Sequence, residues 1–234
     1  MKRIDKIISE QTHYTRKEIK KLVSQGKILV NDEIVKKSET KYDENNICIK
    51  INGEEIEIKK YVYLLLNKPK GYISSTEKSS GSTVLDLVPE KYKNRNLFPA
   101  GRLDKDTTGL MLITDDGQFA HNILSPRKHI KKIYEVTIDI STTNEMVECF
   151  KNGIDLNDGK CKSAIMEITG KYTANVTLIE GRYHQIKRMF GCYGAKVVEL
   201  HRVAMGNLRL PEDLEEGQCR ELTDEELKLL QQQL

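Results

Sequence analysis

An α+β chain in two parts is what the sequence predicts, and three observations carry that reading. Residues 1–60 place apolar side chains at helical spacing and then give short strand runs broken by turn residues. Residues 61–234 interleave short apolar or alternating runs, which suit strands, with helical patterns. Between the two parts, Asn52-Gly53-Glu54-Glu55 and Lys59-Lys60 mark a turn and a polar joint, so the boundary is expected near residue 60. A chain of 234 residues has room for one small and one medium domain.

The first part opens with Ile4, Ile7 and Ile8 at helical spacing. Thr15 and Glu18 form a capping-box signature, and Ile19, Leu22 and Val23 continue an apolar face until Gly26 stops the helix. Arg16, Lys17, Lys20 and Lys21 fall on the opposite face. Ile28-Leu29-Val30, a turn at Asn31-Asp32, Ile34-Val35 and the alternation Ile47, Ile49, Ile51 then read as short strands.

The second part begins with a strand over Tyr61–Asn67 that ends in the turn Lys68-Pro69-Lys70-Gly71. Lys68 and Lys70 serve either that turn or a bound phosphate. Lys78 to Ser82 reads as a polar loop and Thr83 to Val88 as a short amphipathic helix. The densest stretch is FPAGRLDKDTTGLMLITDDG, Phe98 to Gly117: a charged, glycine-led loop, a buried apolar strand at Leu110–Ile113, and a closing turn at Asp115-Asp116-Gly117. Residue types alone make Arg102, Asp104 and Asp106 a surface ion-pair loop. Phe119 to Leu124 suggests a helix ended by Ser125-Pro126, followed by the basic run Arg127–Lys132 and the alternating strand Tyr134–Ile138. A helix with Met146 and Phe150, a loop around Gly153 and Gly159, and strands Ala164–Thr169 and Ala174–Ile179 complete the middle. Ile186, Met189 and Phe190 share one helix face, with Lys187 and Arg188 turned elsewhere, ahead of an apolar run from Val197. Thr223-Asp-Glu-Glu caps a terminal helix carrying Leu227, Leu230 and Leu234.

Composition bounds the class. Apolar residues at 38% and charged residues at 31% suit a globular protein with a modest core. No run of eighteen apolar residues calls for a membrane span, and MKRIDKIISE lacks the apolar core of a signal peptide. Five scattered cysteines without a CxxC pair point to a reducing cytoplasm, and away from disulfides and a zinc site. Residues 1–37 hold ten Lys/Arg against five acids, and residues 211–234 hold eight acids against two bases. A basic front of this kind suits an anionic partner, with nucleic acid the usual one.

Two resemblances follow from these residues. The basic-faced helices and the Gly-Lys-Ile-Leu-Val-Asn-Asp hairpin look like an S4 RNA-binding domain, with Arg3, Asp5, Thr15, Arg16, Gly26, Val30 and Asn31 where that pattern has them. That likeness implies RNA contacts from Arg3, Arg16, Lys17 and Lys20. GRLDKDTTGLMLITDDG resembles the catalytic motif of the pseudouridine synthases, in the branch typified by the small-subunit rRNA synthase RsuA. LNKPKG with Tyr72 and Ser74-Ser75-Thr76, Lys132-Ile133-Tyr134, and HQIKRMF resemble further segments of the same family in the same order.

The second resemblance implies a mixed, mainly antiparallel sheet with flanking helices, and conversion of uridine to pseudouridine in rRNA, 16S ahead of 23S. It implies that Asp104 is the catalytic carboxylate, that Asp106 shapes its loop, and that Lys187 pairs with Asp104, with Arg188 the runner-up. Tyr134 would stack on the base, and Lys68, Arg102, Lys132, Arg182, Gln185 and Arg188 would meet RNA. The isomerisation gains and loses no atoms, so no cofactor is expected, and a cytoplasmic monomer is the simplest state. His184 and His201 lack metal-ligand spacing and are left as structural or RNA-contacting. Two rivals are a metal-binding cluster of Asp104, Asp106, Asp115 and Asp116, and a non-catalytic RNA-binding assembly factor.

Overall fold

A computed structural model describes residues 1–44, 46–77, 81–125 and 128–232. The expectations for Lys78, Pro126, Arg127 and Leu234 lie outside the described residues. The chain forms two compact units, one of residues 1–62 with 88–97 and one of residues 63–87 with 98–234.

The first unit runs β1 Lys2–Arg3, α1 Ile4–Gln11, α2 Arg16–Ser24, β2 Ile28–Val30, β3 Glu33–Ile34, β4 Lys41–Tyr42, β5 Ile49–Ile51 and β6 Glu54–Ile56. Strands β3-β2-β5-β6 make an antiparallel sheet, and β1 pairs with β4. Glu54 and Glu55, expected in a turn, are the first residues of β6, because Asn52 and Gly53 alone close the hairpin. The Thr15–Glu18 capping box is formed. Ile4, Ile7, Ile8, Ile19, Val23, Ile28 and Ile49 fill the core. Residues 88–97 return to this unit through Arg95. Its guanidinium donates to the carbonyls of Glu10, Lys59 and Lys60 and to Gln11 Oε1. Nothing in the local pattern of those residues announces that return.

The second unit contains β7 Tyr63–Lys68, β8 Phe98–Pro99, β9 Thr108–Thr114, α3 Gly117–Leu124, β10 Lys132–Ile138, α4 Asn144–Asn152, β11 Asp155–Leu156 and β12 Gly159–Lys160. It continues with β13 Ile165–Gly170, β14 Thr173–Leu178, α5 Gln185–Gly191, β15 Val197–Met205, β16 Leu208–Arg209, β17 Cys219–Glu221 and α6 Asp224–Gln231. The helix expected over 83–88 is a 3₁₀ turn, Val84–Leu87, entered where the Asp86 carboxylate accepts from the Thr83 amide. Asp116, expected to close a turn, caps α3 by accepting from the Phe119 amide. Among the described residues no helix is long and apolar enough to cross a membrane.

Nine strands make one mixed sheet, in the order β13-β14-β10-β15-β9-β7-β17, with β8 and β16 alongside β9 and β15. Leu64–Leu66 and Leu110–Ile113 are almost completely buried, as strands covered on both faces must be. Leu65, Leu110 and Leu112 pack with Phe119, Ile123 and Leu230. Phe150 of α4 meets Phe190 of α5 with ring centroids 4.9 Å apart. Every pairing is antiparallel except β9 with β15, which pair in parallel at His201–Thr108 and Arg202–Gly109.

That parallel seam requires glycine. Gly109 has φ +99, and a Cβ built there would lie 2.3 Å from the carbonyl oxygen of Arg202. Gly109→Ala is therefore expected to cost about 2–4 kcal/mol in stability through backbone strain and forced separation of the strands. Urea denaturation checks this, and an unchanged midpoint would remove the seam from its central place.

Candidate active site

The loop between β8 and β9 is held from both sides of Asp104. On one side, the Ser74 hydroxyl donates to the Leu103 carbonyl at 2.9 Å and accepts from the Leu103 amide at 3.0 Å. On the other, the fully buried Lys68 ammonium donates to the carbonyls of Pro69, Lys105 and Thr107 at 3.0, 3.3 and 2.8 Å. The Gly71 amide adds a bond to the Lys105 carbonyl at 2.8 Å. A charged loop so anchored at its backbone presents Asp104 in a fixed direction.

Asp104 faces a cleft of about 700 Å³ lined by residues of β10, β14, β15, α5 and both flanking loops. Its carboxylate lies 3.3 Å from the Lys187 ammonium, with about a quarter of each side chain exposed. Lys187 also donates to Asp106 at 2.6 Å. One cation thus bridges two carboxylates two residues apart, and Asp106 does more than shape the loop. Partial burial would push the Lys187 pKa down, but the hydrogen bond it donates to Asp106 and the charges of both acids outweigh it and hold it above its ordinary value. Burial likewise pushes Asp106 up, and the Lys187 contact reverses the sign and keeps it low.

The cleft floor is one face of the sheet. Lys132 and Tyr134 alternate on β10, Leu200 and Arg202 on β15, and Leu178 lies on β14. Tyr134 sits directly opposite Arg202 in the ladder and is largely buried. At the rim, His184 adopts a left-handed conformation at φ 48, stacks on Tyr183, and brings Nε2 to 3.5 Å from Asp104 Oδ1. The sequence left His184 as structural or RNA-contacting and did not foresee its approach to Asp104. Ser74, Arg202 and the anchoring work of Lys68 were also missed, since only long-range contacts reveal them.

Several expected RNA contacts are redirected. Lys68 is buried against carbonyls and offers nothing to a phosphate. Lys132 is buried in the cleft floor rather than on the surface. Gln185 is buried; it accepts from the Arg182 amide and donates to Glu180, which closes the loop ahead of α5. Arg188, the runner-up partner of Asp104, pairs with Asp158 instead. Arg182 lines the cleft, but its guanidinium donates to the Gly159 carbonyl at 2.7 Å and pairs with Asp158. Arg3 pairs with Asp5 at 2.7 Å.

Arg102 is exposed at the cleft and forms no ion pair among the described residues. In the first unit, Arg16, Lys17 and Lys20 are likewise exposed and unpaired. The four-aspartate metal cluster is overturned. Strand β9 separates Asp104 and Asp106 from Asp115 and Asp116, and no three His, Cys, Asp or Glu side chains converge among the described residues.

Comparisons with known proteins agree on the kind of protein this is. A family model described as RNA pseudouridylate synthase matches residues 62–191, and an S4 domain model matches residues 2–48. The chain is 39% identical over 233 residues to the uncharacterized RNA pseudouridine synthase YtzG of Bacillus subtilis, covering 97% of this chain and 98% of that one. It is also 39% identical over 235 residues to ribosomal small subunit pseudouridine synthase A of Escherichia coli K12, covering 96% and 98% of the two chains. A crystal structure of a pseudouridylate synthase aligns with TM-score 0.69 and 39% identity over 98% of this chain and all of the other.

The buried lysines set a pH dependence of stability. Burial pushes Lys68 down to about 8, partly opposed by Asp106 and Asp104, and burial together with the Arg202 charge pushes Lys132 down to about 8. An unfolded lysine titrates near ~10.4, so between about pH 8 and pH 10 the unfolded chain holds more protons and stability rises with pH. Below about pH 8 both states are protonated and the full cost of burying the charge remains. Urea denaturation should show wild type gaining stability relative to Lys132→Met as pH rises through this window, and a constant difference would contradict it.

Proposed function

The chain belongs to the RNA pseudouridylate synthase family, and on that premise we propose that it isomerises a uridine of 16S ribosomal RNA. One observation carries the mechanistic part: a carboxylate, Asp104, fixed by its backbone and by the Lys187 ammonium at 3.3 Å, beside a cleft with an aromatic ring, Tyr134, on its floor. The 16S assignment is supported by full-length likeness to relatives named for the ribosomal small subunit. A 23S target is the second reading.

In this reading the target nucleotide leaves its helix and enters the cleft, because C1′ of a stacked residue is out of reach of any side chain. Asp104 acts at the sugar, either on C1′ or on the C2′ proton, and both routes need it charged. Lys187 keeps it charged despite partial burial, and Asp106 keeps Lys187 in place. Tyr134 holds the detached base by its ring face, a contact worth roughly 1–3 kcal/mol. The reaction conserves atoms and electrons, so no second substrate is consumed. Arg102 and the α2 face of Arg16, Lys17, Lys20 and Lys21 contact phosphates. The protein acts as a monomer in the cytoplasm.

Asp104→Asn is expected to lower pseudouridine formation at least about 10³-fold with RNA binding unchanged, and Lys187→Met about 10²-fold. Near-normal turnover of either variant refutes the assignment. Replacing Lys17, Lys20 and Lys21 together with Gln should raise KM for RNA and leave the single-turnover rate at saturation intact. Mapping rRNA from cells with and without the protein should show one 16S pseudouridine lost, and a loss from 23S instead would move the substrate.

A further inference from the structure

The cleft carries more positive charge than the Asp104–Lys187 pair accounts for. Arg102, Lys132, Arg182, Lys187 and Arg202 line it, against the single carboxylate of Asp104. Arg102 faces solvent, Lys187 is matched by acids, and Arg182 is matched by Asp158. Two cations remain, and both are buried in the floor beside Tyr134: Arg202 at 2% exposure and Lys132 at 7%. Neither forms an ion pair among the described residues. Arg202 gives Nε to the Leu110 carbonyl at 2.7 Å, but its second terminal nitrogen is buried without any partner. Among the described residues the Lys132 ammonium has one bond, to the Ile130 carbonyl at 3.2 Å, which leaves two of its protons without an acceptor there. Burying two like charges with unused donors is costly unless an acceptor arrives, and Lys132 shows the strain in a pKa pushed down to about 8 by burial and by Arg202.

We propose that Arg202 and Lys132 form a subsite for the detached base, binding its carbonyl oxygens while it carries negative charge. The inference rests on the function proposed above and goes beyond the Asp104–Lys187–Tyr134 set. When the N1–C1′ bond breaks, its electron pair stays with the base, whichever role Asp104 takes at the sugar. The resulting uracil monoanion spreads its charge over N1, O2, O4 and C5. Reattachment forms the C5–C1′ bond with electrons of that anion. C5 then loses its proton and N1 gains one, so the product is an isomer of the substrate. Cations fixed before the charge appears stabilise the anion without reorganising, which is where electrostatic catalysis is strongest. Their place beside the Tyr134 ring lets one base meet the stacking face and the two donors together.

The test uses the leaving group. Fluorine at C5 makes the base a better anion, so cleavage of 5-fluorouridine depends less on cations. Single-turnover loss of the N1–C1′ linkage is measured at saturating RNA carrying uridine or 5-fluorouridine at the target, with wild type, Lys132→Met and Arg202→Lys. Each variant should slow uridine about 100-fold and 5-fluorouridine about 10-fold or less. Equal slowing of both substrates, or none, overturns the subsite, because a merely structural role lowers both rates by the same factor. Lys132→Met, which keeps volume and removes only charge, decides the matter if Arg202→Lys does not fold. If wild type acts on neither RNA, the function proposed above fails and takes the inference with it.

Discussion

The parallel contact of β9 with β15 at Gly109 and Arg202 is the constraint on which the second unit depends. It joins two runs of antiparallel strands into one sheet, β7 and β17 on one side and β10, β13 and β14 on the other. Backbones approach so closely there that only glycine fits. The consequence for chemistry is direct. The loop entering β9 carries Asp104, the strand β15 carries Arg202, and α5, two residues after the cleft-lining Arg182 and Tyr183, carries Lys187. Residues about eighty and a hundred positions apart in the chain meet because one pair of strands runs in register.

Positive charge is distributed by depth. Apart from the solvent-facing Arg102, the shallower cations of the cleft have acidic partners: Lys187 with Asp104 and Asp106, and Arg182 with Asp158. Deeper cations have carbonyls or nothing. Lys68 is held by three carbonyl dipoles, which solvate its ammonium and in return fix the loop above it. Lys132 and Arg202 are under-satisfied. Low dielectric amplifies both situations, strengthening what is paired and raising the cost of what is not. A site that must hold a carboxylate ionised and then receive an anionic base benefits from this gradient, since the matched cation serves the first need and the unmatched ones the second.

The first unit is built on a different principle. Its isoleucine-rich core is local, and its helices and hairpins are short and capped. The basic face of α2 forms no ion pair among the described residues, whereas the basic residue at the start of α1, Arg3, is matched by Asp5.

The sequence by itself determined whatever depends on near neighbours and on an ordered motif. Capping boxes at Thr15 and Thr223, the buried run Leu110–Ile113, the alternation of β10 and the helix over Ile186–Phe190 follow from periodicity and local hydrogen bonding. The likeness of GRLDKDTTGLMLITDDG and HQIKRMF to one family supplied the Asp104–Lys187 pairing, which spacing alone could not give. Tertiary structure decided which charges are exposed. Lys68, Lys132, Arg182, Gln185 and Arg188 all read as surface groups for RNA, yet each is buried or already engaged: distant partners claim Lys68, Arg182 and Arg188, while the packing of the sheet and of α5 buries Lys132 and Gln185. It also brought residues 88–97 back to the first unit and His184 to Asp104. A side chain's type fixes what it can bond to, but its neighbours across the sheet fix what it does bond to, and those neighbours are set by register rather than by order.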